Sequence, residues 1–154
     1  CAGGKSGMLC CYEAKKRAGV TGKVIGLCHS ERSTKRLIDL GFCDYVFSGD
    51  ATQPVAILEK IEEITNGQMA DITINNVNIP DTEMTSILCT KNDGIVYFFS
   101  MATSFTKAAL GAEGVGSDVT MIVGNGYTKG HAEITLSLLK ESEKLRKIFT
   151  ELYA

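Results

Sequence analysis

The sequence has few of the residues that mark metal-binding, secreted or nucleic-acid-binding proteins. It contains 2 prolines, 2 histidines, no tryptophan and 6 cysteines, none of them in a C-x-x-C pair. Because zinc sites require clustered Cys and His ligands, we predict no metal site and expect the reduced, mostly buried thiols of a cytoplasmic protein. The formal net charge of −2 gives no electrostatic reason to bind nucleic acid or an anionic membrane. The longest apolar runs are only as long as strands, so no membrane-spanning helix is expected.

What the chain does contain is an alternation of strand-like and helix-like segments. Its 154 residues, 44% hydrophobic and 22% charged, suffice for the core of one domain. Strands that alternate with helices predict parallel β-α-β units, and hence an α/β fold with a doubly wound, mostly parallel sheet. Helical patterns lie at residues 6–19, 30–41, 54–65, 81–90 (with Asp81 as the expected cap) and 131–153, and strand patterns at 23–28, 44–48, 70–77, 94–100 and 118–126; the small-residue stretch 100–116 is predicted to be a loop.

The segment AGGKSG at residues 2–7 is compatible with two kinds of phosphate-binding turn. Gly4, Lys5 and Ser6 fit the end of a Walker A motif, but the first glycine of that motif would precede residue 1. Such an enzyme also holds magnesium through an acid at the end of a strand. The strand-like run 70–77 has Asn75 and Asn76 near its exit instead, so Walker A is the weaker interpretation.

A dinucleotide-binding turn is the stronger interpretation of the same segment. Gly4 and Gly7 occupy the last two glycine positions of a G-x-x-G-x-x-G pattern, with Cys1 in the first, and a helical pattern follows at once. About 20 residues later a strand ends at Cys28, where a contact to the cofactor ribose is expected. A glycine turn without any ligand stays an alternative.

The residues after this strand do not decide between NAD and NADP. The carboxylate that usually binds the ribose 2′-hydroxyl is replaced by Cys28, His29 and Ser30, so a 2′-phosphate is not repelled and NADP should be tolerated. Ser30, His29 or Arg32 could contact the 2′-phosphate. The alternatives are that Glu31 turns toward the ribose, or that Arg32 is only a solvated surface charge.

Five segments resemble, in their order, the cofactor domain of the medium-chain dehydrogenase/reductases, which include alcohol dehydrogenases and quinone reductases. They are GGKSG, KVIGLCHSE, LGFCDYVF, GQMADITINNV and DGIVYFFSMA. Residues 2–26 and 97–136 are similar, more narrowly, to the amine dehydrogenases of lysine fermentation in that superfamily. The resemblance implies a Rossmann-type fold and the oxidative deamination of a diamino acid with NAD or NADP. One departure is Cys1, where the superfamily usually has glycine.

The resemblance also implies which residues contact the cofactor. Two of these assignments have an alternative. Asn75 and Asn76 are also typical turn formers, and Lys5 is also compatible with a solvated side chain. The implied contacts are Gly4, Lys5, Ser6 and Gly7 at the pyrophosphate, His29 and Ser30 at the adenosine ribose, and Asn75, Asn76 and Ser100 along the track from adenine to nicotinamide.

The superfamily builds its substrate side from a domain that precedes the dinucleotide turn. The resemblance therefore implies that residues 1–154 are a dinucleotide-binding domain fragment without its first strand, and that the N-terminal catalytic domain and the catalytic residues lie outside this chain. It also implies a small amino acid as substrate and a homo-oligomer. A nicotinamide-dependent alcohol or quinone oxidoreductase, and a nucleotide-binding module without chemistry, remain alternatives. Further candidates for contact with substrate are Tyr127, Thr128 (or a cap of the last helix), Lys129 and His131.

Overall fold

The computed structural model describes residues 1–124, 126 and 128–154. They form two compact units, a terminal unit of Cys1–Gly49 with Gly126–Ala154 and a central unit of Asp50–Asn125. No helix in the described part of the chain combines the length and the apolar character needed to cross a membrane. In chain order the elements are α1 (Lys5–Ala18), β1 (Ile25–Cys28), α2 (Glu31–Leu40), β2 (Tyr45–Ser48), α3 (Pro54–Thr65), β3 (Ala70–Asn75), α4 (Glu83–Leu88), β4 (Thr90–Phe98), α5 (Phe105–Val115), β5 (Val119–Val123), α6 (His131–Glu141) and α7 (Glu143–Tyr153).

The terminal unit contains a parallel pair of strands, β1 and β2, with Ile25 opposite Tyr45. The helix between them is bounded by local signals that the sequence predicts. The hydroxyl of Ser30 accepts the Ser33 N–H at 3.2 Å and starts α2, and Gly41, with φ +72°, ends it in the left-handed conformation that favours glycine.

Helices α1, α6 and α7 pack together in the same unit around a core of fully buried side chains. Met8, Leu37 and Leu145 each have 0% of their surface exposed. At the margin of this core, the rings of Tyr12 and Phe42 meet edge to face, with centroids 4.9 Å apart. Leu40 of α2 and Leu138 of α6 are buried as well, whereas Ile134 at the start of α6 is 50% exposed.

The central unit is a three-stranded parallel sheet in the order β3-β4-β5. Val96 and Phe98 of β4 are fully buried and pack against Ile87 of α4 and against Ala108 and Ala112 of α5. The parallel strands and intervening helices of both units confirm the predicted α/β class.

The predicted last helix, residues 131–153, is wrong in one respect. It is divided at Ser142 into α6 and α7. Ser142 has φ −109° and ψ 109°, and its hydroxyl accepts the N–H of Leu145 at 3.2 Å. A serine in this extended conformation caps a new helix, whereas the apolar spacing on both sides continues without a break.

The predicted loop over 100–116 is also wrong, because most of it is helix α5. Ser104 caps this helix by accepting the N–H of Lys107 at 3.3 Å. The small residues have a packing role, since a Cβ on Gly111 would lie 2.3 Å from the sulfur of Met84. Glycine at this position lets α5 approach α4 closely.

The prediction that Asp81 caps the following helix is also wrong. The residue before α4 is Thr82, and its side chain makes no capping hydrogen bond. Asp81 has φ +66° and forms an ion pair with Lys107. Asp81 therefore joins the start of α4 to α5 instead of capping α4.

Asp44 connects three parts of the terminal unit and generates a prediction about stability. Its carboxylate accepts hydrogen bonds from Lys15 Nζ at 2.7 Å and from the Val24 N–H at 2.8 Å, and these two bonds lower its pKa. Because the folded pKa lies below the unfolded one, the stabilisation is present above the ordinary carboxyl pKa and is lost as pH falls through the folded value.

We expect Asp44→Asn to lower the free energy of unfolding by about 1–3 kcal/mol at pH 7, as is usual when hydrogen bonds to a charged group are lost. Urea denaturation at pH 7 and pH 3 measures this, and the difference should shrink at pH 3. Asp39→Asn changes an exposed carboxylate on α2 and serves as the control. An equal loss in both variants would contradict the role of Asp44.

Candidate functional site

The segment before α1 forms a tight turn beside the carboxyl end of β1. The Ala2 N–H donates to the carbonyl of Leu27 at 2.9 Å, and the Gly4 N–H donates to the carbonyl of Cys1 at 3.2 Å. The first helical bond runs from the Met8 N–H to the carbonyl of Gly4 at 2.9 Å. The end of a parallel strand is where α/β folds bind their ligands, so this turn is positioned for that role.

Two glycines of the turn are required by close packing. A Cβ on Gly7 would lie 2.3 Å from the carbonyl oxygen of Cys1, and a Cβ on Gly3 would lie 2.7 Å from Cβ of Ser33. Gly4 differs, because the nearest atom to its Cβ position would be 3.5 Å away. Gly3 and Gly7 therefore let the turn fold tightly, whereas position 4 has room for a Cβ.

The N-terminus of α1 has the chemistry of an anion-binding site. Gly4 precedes the helix without providing a side-chain cap, and the first turn carries no acidic residue. Backbone N–H groups at such a terminus, together with the helix dipole, favour a negatively charged ligand. Lys5 is exposed and Ser6 is half-buried at this terminus. All four predicted pyrophosphate residues are thus brought together here.

At the end of β1 the structure places His29 and Ser30 on the surface, directly after the fully buried Cys28. The hydroxyl of Ser30 lies 2.9 Å from Oγ of Ser33 in the capping box of α2. A ligand at Ser30 would therefore share its hydroxyl with the helix cap, whereas His29 is exposed to solvent.

Sequence reasoning missed Arg36 at this turn. Its Nη1 donates to the carbonyl of Gly3 at 3.3 Å, which brings a permanent cation to the turn. A signal was present, because Arg36 follows Arg32 by one helical turn and therefore lies on the same face of α2.

The residues predicted in the central unit have different surroundings. Asn75 is 6% exposed, and its amide donates to Thr82 Oγ1 and to Ser86 Oγ, both at 2.9 Å. Its carbonyl oxygen accepts the Val77 N–H at 3.2 Å. The polar atoms of Asn75 are thus engaged within its own unit, where they hold the end of β3 against α4. Asn76 is half-buried.

Ser100 lies in a short turn that is supported by a residue not found from the sequence. Its hydroxyl accepts the Ala102 N–H at 3.0 Å. The turn continues to Ser104, whose N–H donates to the Glu83 carboxylate at 2.6 Å. Glu83 is only 2% exposed and thereby links α4 to the segment that carries Ser100. No local pattern distinguishes this buried acid from a solvated one.

The segment before α6 contains the remaining candidates. Tyr127 lies outside the described residues. The alternative that Thr128 caps the last helix is wrong, because Gly130 occupies the cap position, with no side-chain hydrogen bond. The carbonyl of Thr128 instead lies 2.8 Å from Nδ1 of His131. Lys129 is exposed.

Residues 7–141 match the family of zinc-binding dehydrogenases. The chain belongs to this family. The glycine turn and the alternating strands and helices up to residue 141 therefore lie within the part of the chain that this family's model covers.

Two curated relatives are similar over almost the whole of this chain. The L-erythro-3,5-diaminohexanoate dehydrogenase of Acetoanaerobium sticklandii is 60% identical over 152 residues, which are 99% of this chain and 44% of the relative. The protein of the same name from Fusobacterium nucleatum subsp. nucleatum is 55% identical over 150 residues, covering 97% of this chain and 44% of the relative. The chain thus spans less than half the length of the relatives that it matches.

Solved structures with the same fold are more distant in sequence. A mycobacterial quinone oxidoreductase superimposes with a TM-score of 0.63 at 16% identity, covering 97% of this chain and 44% of that one. A mycobacterial protein in complex with NADPH superimposes with a TM-score of 0.61 at 17% identity, covering 98% and 45%. These similarities establish a Rossmann-type fold.

The residues that the structure describes do not fit the zinc of the family's name. Among residues 1–124, 126 and 128–154, no group of three or more His, Cys, Asp or Glu side chains is arranged to hold a metal ion. Zinc binds thiolates, but burial raises the pKa of Cys28 and raises that of Cys89 to about 12. A hydrogen bond with Cys43 and burial raise the pKa of Cys11. Burial thus favours the neutral thiol over the thiolate at these three positions.

Gly7 is closely packed and Gly4 has room for a Cβ, and this difference leads to a prediction. We expect Gly7→Ala to lower the free energy of unfolding by about 1–3 kcal/mol, the usual cost of overpacking. The matched variant Gly4→Ala should change it by less than about 0.5 kcal/mol, because its Cβ has room. Thermal and urea denaturation measure both, and equal effects would contradict the distinction.

Proposed function

We propose that this chain is the nicotinamide-binding part of an NAD(P)-dependent amine dehydrogenase that acts on L-erythro-3,5-diaminohexanoate. The reaction is oxidative deamination at carbon 3. The substrate, water and NAD(P)⁺ give 5-amino-3-oxohexanoate, ammonia, NAD(P)H and a proton. The observation that carries this proposal is the similarity of nearly the whole chain to two enzymes of that name, at 60% and 55% identity.

The chemistry divides between the cofactor and the protein. The bound nicotinamide supplies a hydride acceptor. The residues of this chain bind and orient the cofactor: in the proposed site the N–H groups at the start of α1, with Lys5 and Ser6, hold the pyrophosphate. The start of α1 has no side-chain cap and no acidic residue in its first turn, and both features support this assignment.

We place the adenosine ribose at the end of β1, near His29 and Ser30, because both are exposed there. In the central unit we propose that Ser100 and Asn76 border the track toward the nicotinamide. The contact of Asn75 with the cofactor stays a prediction, and its hydrogen bonds within the unit indicate that it shapes the strand end.

We further propose that residues preceding Cys1 in the full-length protein add a first strand beside β1 and supply the N-terminal catalytic domain. The hydrogen bond from the Ala2 N–H to the carbonyl of Leu27 in β1 supports this. It is the kind of bond that a strand paired with β1 would form. The catalytic residues would then lie in the added domain. A cytoplasmic location and a homo-oligomer stay predictions.

The substrate assignment is tested with the full-length protein. We expect NAD(P)H absorbance to appear with L-erythro-3,5-diaminohexanoate, and ammonia to be released in equal amount. Simple alcohols serve as the comparison in the oxidative direction, and quinones with NAD(P)H in the reductive direction. Reduction of neither nicotinamide by the diamine would overturn the substrate assignment, and turnover of alcohols or quinones instead would favour another member of the family.

Cofactor choice gives a separate prediction about Arg32. No Asp or Glu occupies positions 28–30, so NADP should be accepted as well as NAD, and the exposed Arg32 can approach a 2′-phosphate. We expect Arg32→Ala to lower kcat/KM for NADP about 2- to 5-fold relative to NAD, the effect of an exposed ion pair. Lys35→Ala, at another exposed position on α2, is the control. An equal change for both cofactors would contradict the assignment.

A further inference from the structure

The side chain of Lys5 is held by an aromatic ring from the other end of the chain. Its Nζ lies 4.4 Å from the ring centroid of Tyr153, within the range of a cation–π interaction. Lys5 is the first residue of α1 and Tyr153 is the last of α7, and these two helices pack together in the terminal unit. The contact is therefore long-range in sequence and local in space.

The ring of Tyr153 is itself supported. Phe149, one helical turn earlier, meets it edge to face with centroids 5.2 Å apart. Leu145, a further turn toward the start of α7, has 0% of its surface exposed and anchors the helix in the core. Tyr153 remains 42% exposed, and Lys5 is itself exposed, so its ammonium is accessible to a ligand.

An ammonium that rests on an aromatic ring retains donor capacity. Lysine carries three N–H donors and no acceptor, and the ring engages only the side of the ammonium that faces it. The remaining donors can reach a phosphate oxygen. Holding the flexible lysine in place also reduces the conformational entropy that must be lost when an anion binds.

We propose that Tyr153 is a positioning residue for the dinucleotide, holding the Lys5 ammonium beside the N-terminus of α1 so that it donates to the pyrophosphate. This inference rests on the proposed function, because it requires a dinucleotide at the turn. It gives the end of α7 a role in cofactor affinity that the glycine motif alone does not predict.

The test is a double-mutant cycle in the full-length protein, with binding followed by the fluorescence of NADH or NADPH, whichever the wild type binds more tightly. We expect Tyr153→Leu to weaken binding about 2- to 5-fold, the equivalent of an exposed cation–π contact. Tyr153→Phe keeps the ring and should bind like the wild type. In a Lys5→Met background, Tyr153→Leu should cause no further loss.

Two ligands distinguish positioning from a general structural effect. ADP-ribose retains the pyrophosphate and should lose affinity in Tyr153→Leu, whereas adenosine lacks it and should not. In turnover assays, KM for the cofactor should rise with kcat nearly unchanged. A loss that is equal for adenosine, a loss that persists in the Lys5→Met background, or unchanged or tighter binding in Tyr153→Leu would each overturn the inference. If the wild type binds no nicotinamide cofactor, the proposed function fails instead.

Discussion

The turn before α1 depends on the absence of a side chain at Gly7. A Cβ at that position would lie only 2.3 Å from the carbonyl oxygen of Cys1 and 2.5 Å from that of Ala2. Because the backbone can turn this closely, α1 starts directly beside the end of β1 and leaves its first N–H groups without a side-chain cap. The anion-binding character of the turn is thus a consequence of packing, and the nearby cations of Lys5 and Arg36 add to it.

A different constraint organises the central unit, where polar groups are buried and have to be paired. Asn75 hydrogen bonds to Thr82 and Ser86, and the buried carboxylate of Glu83 accepts the N–H of Ser104. Burial without these partners would cost free energy. The same bonds hold the end of β3 and the turn that carries Ser100, so the proposed cofactor track depends on a network of polar side chains that support the strand ends.

Much of the fold could be predicted because its signals are local. The Ser30 cap, the glycine after α2 and the proline at the start of α3 each act within a few residues. The errors arose where local and tertiary signals differ. Ser142 divides the last helix through its extended backbone, although the apolar spacing continues. The many small residues of the stretch 100–116 are typical of a loop. In the structure, small side chains there allow α5 to pack closely against α4.

For the candidate site, the sequence by itself determined the glycine turn, the helix that follows it and the residues after β1, because backbone sterics and helix capping depend on near neighbours. Only the tertiary structure decided which side chains reach that turn. Arg36 approaches Gly3 from another helix, and Tyr153 meets Lys5 from the far end of the chain. Contacts between such distant residues are formed by the packing of helices around a shared core, which no short pattern of residues encodes.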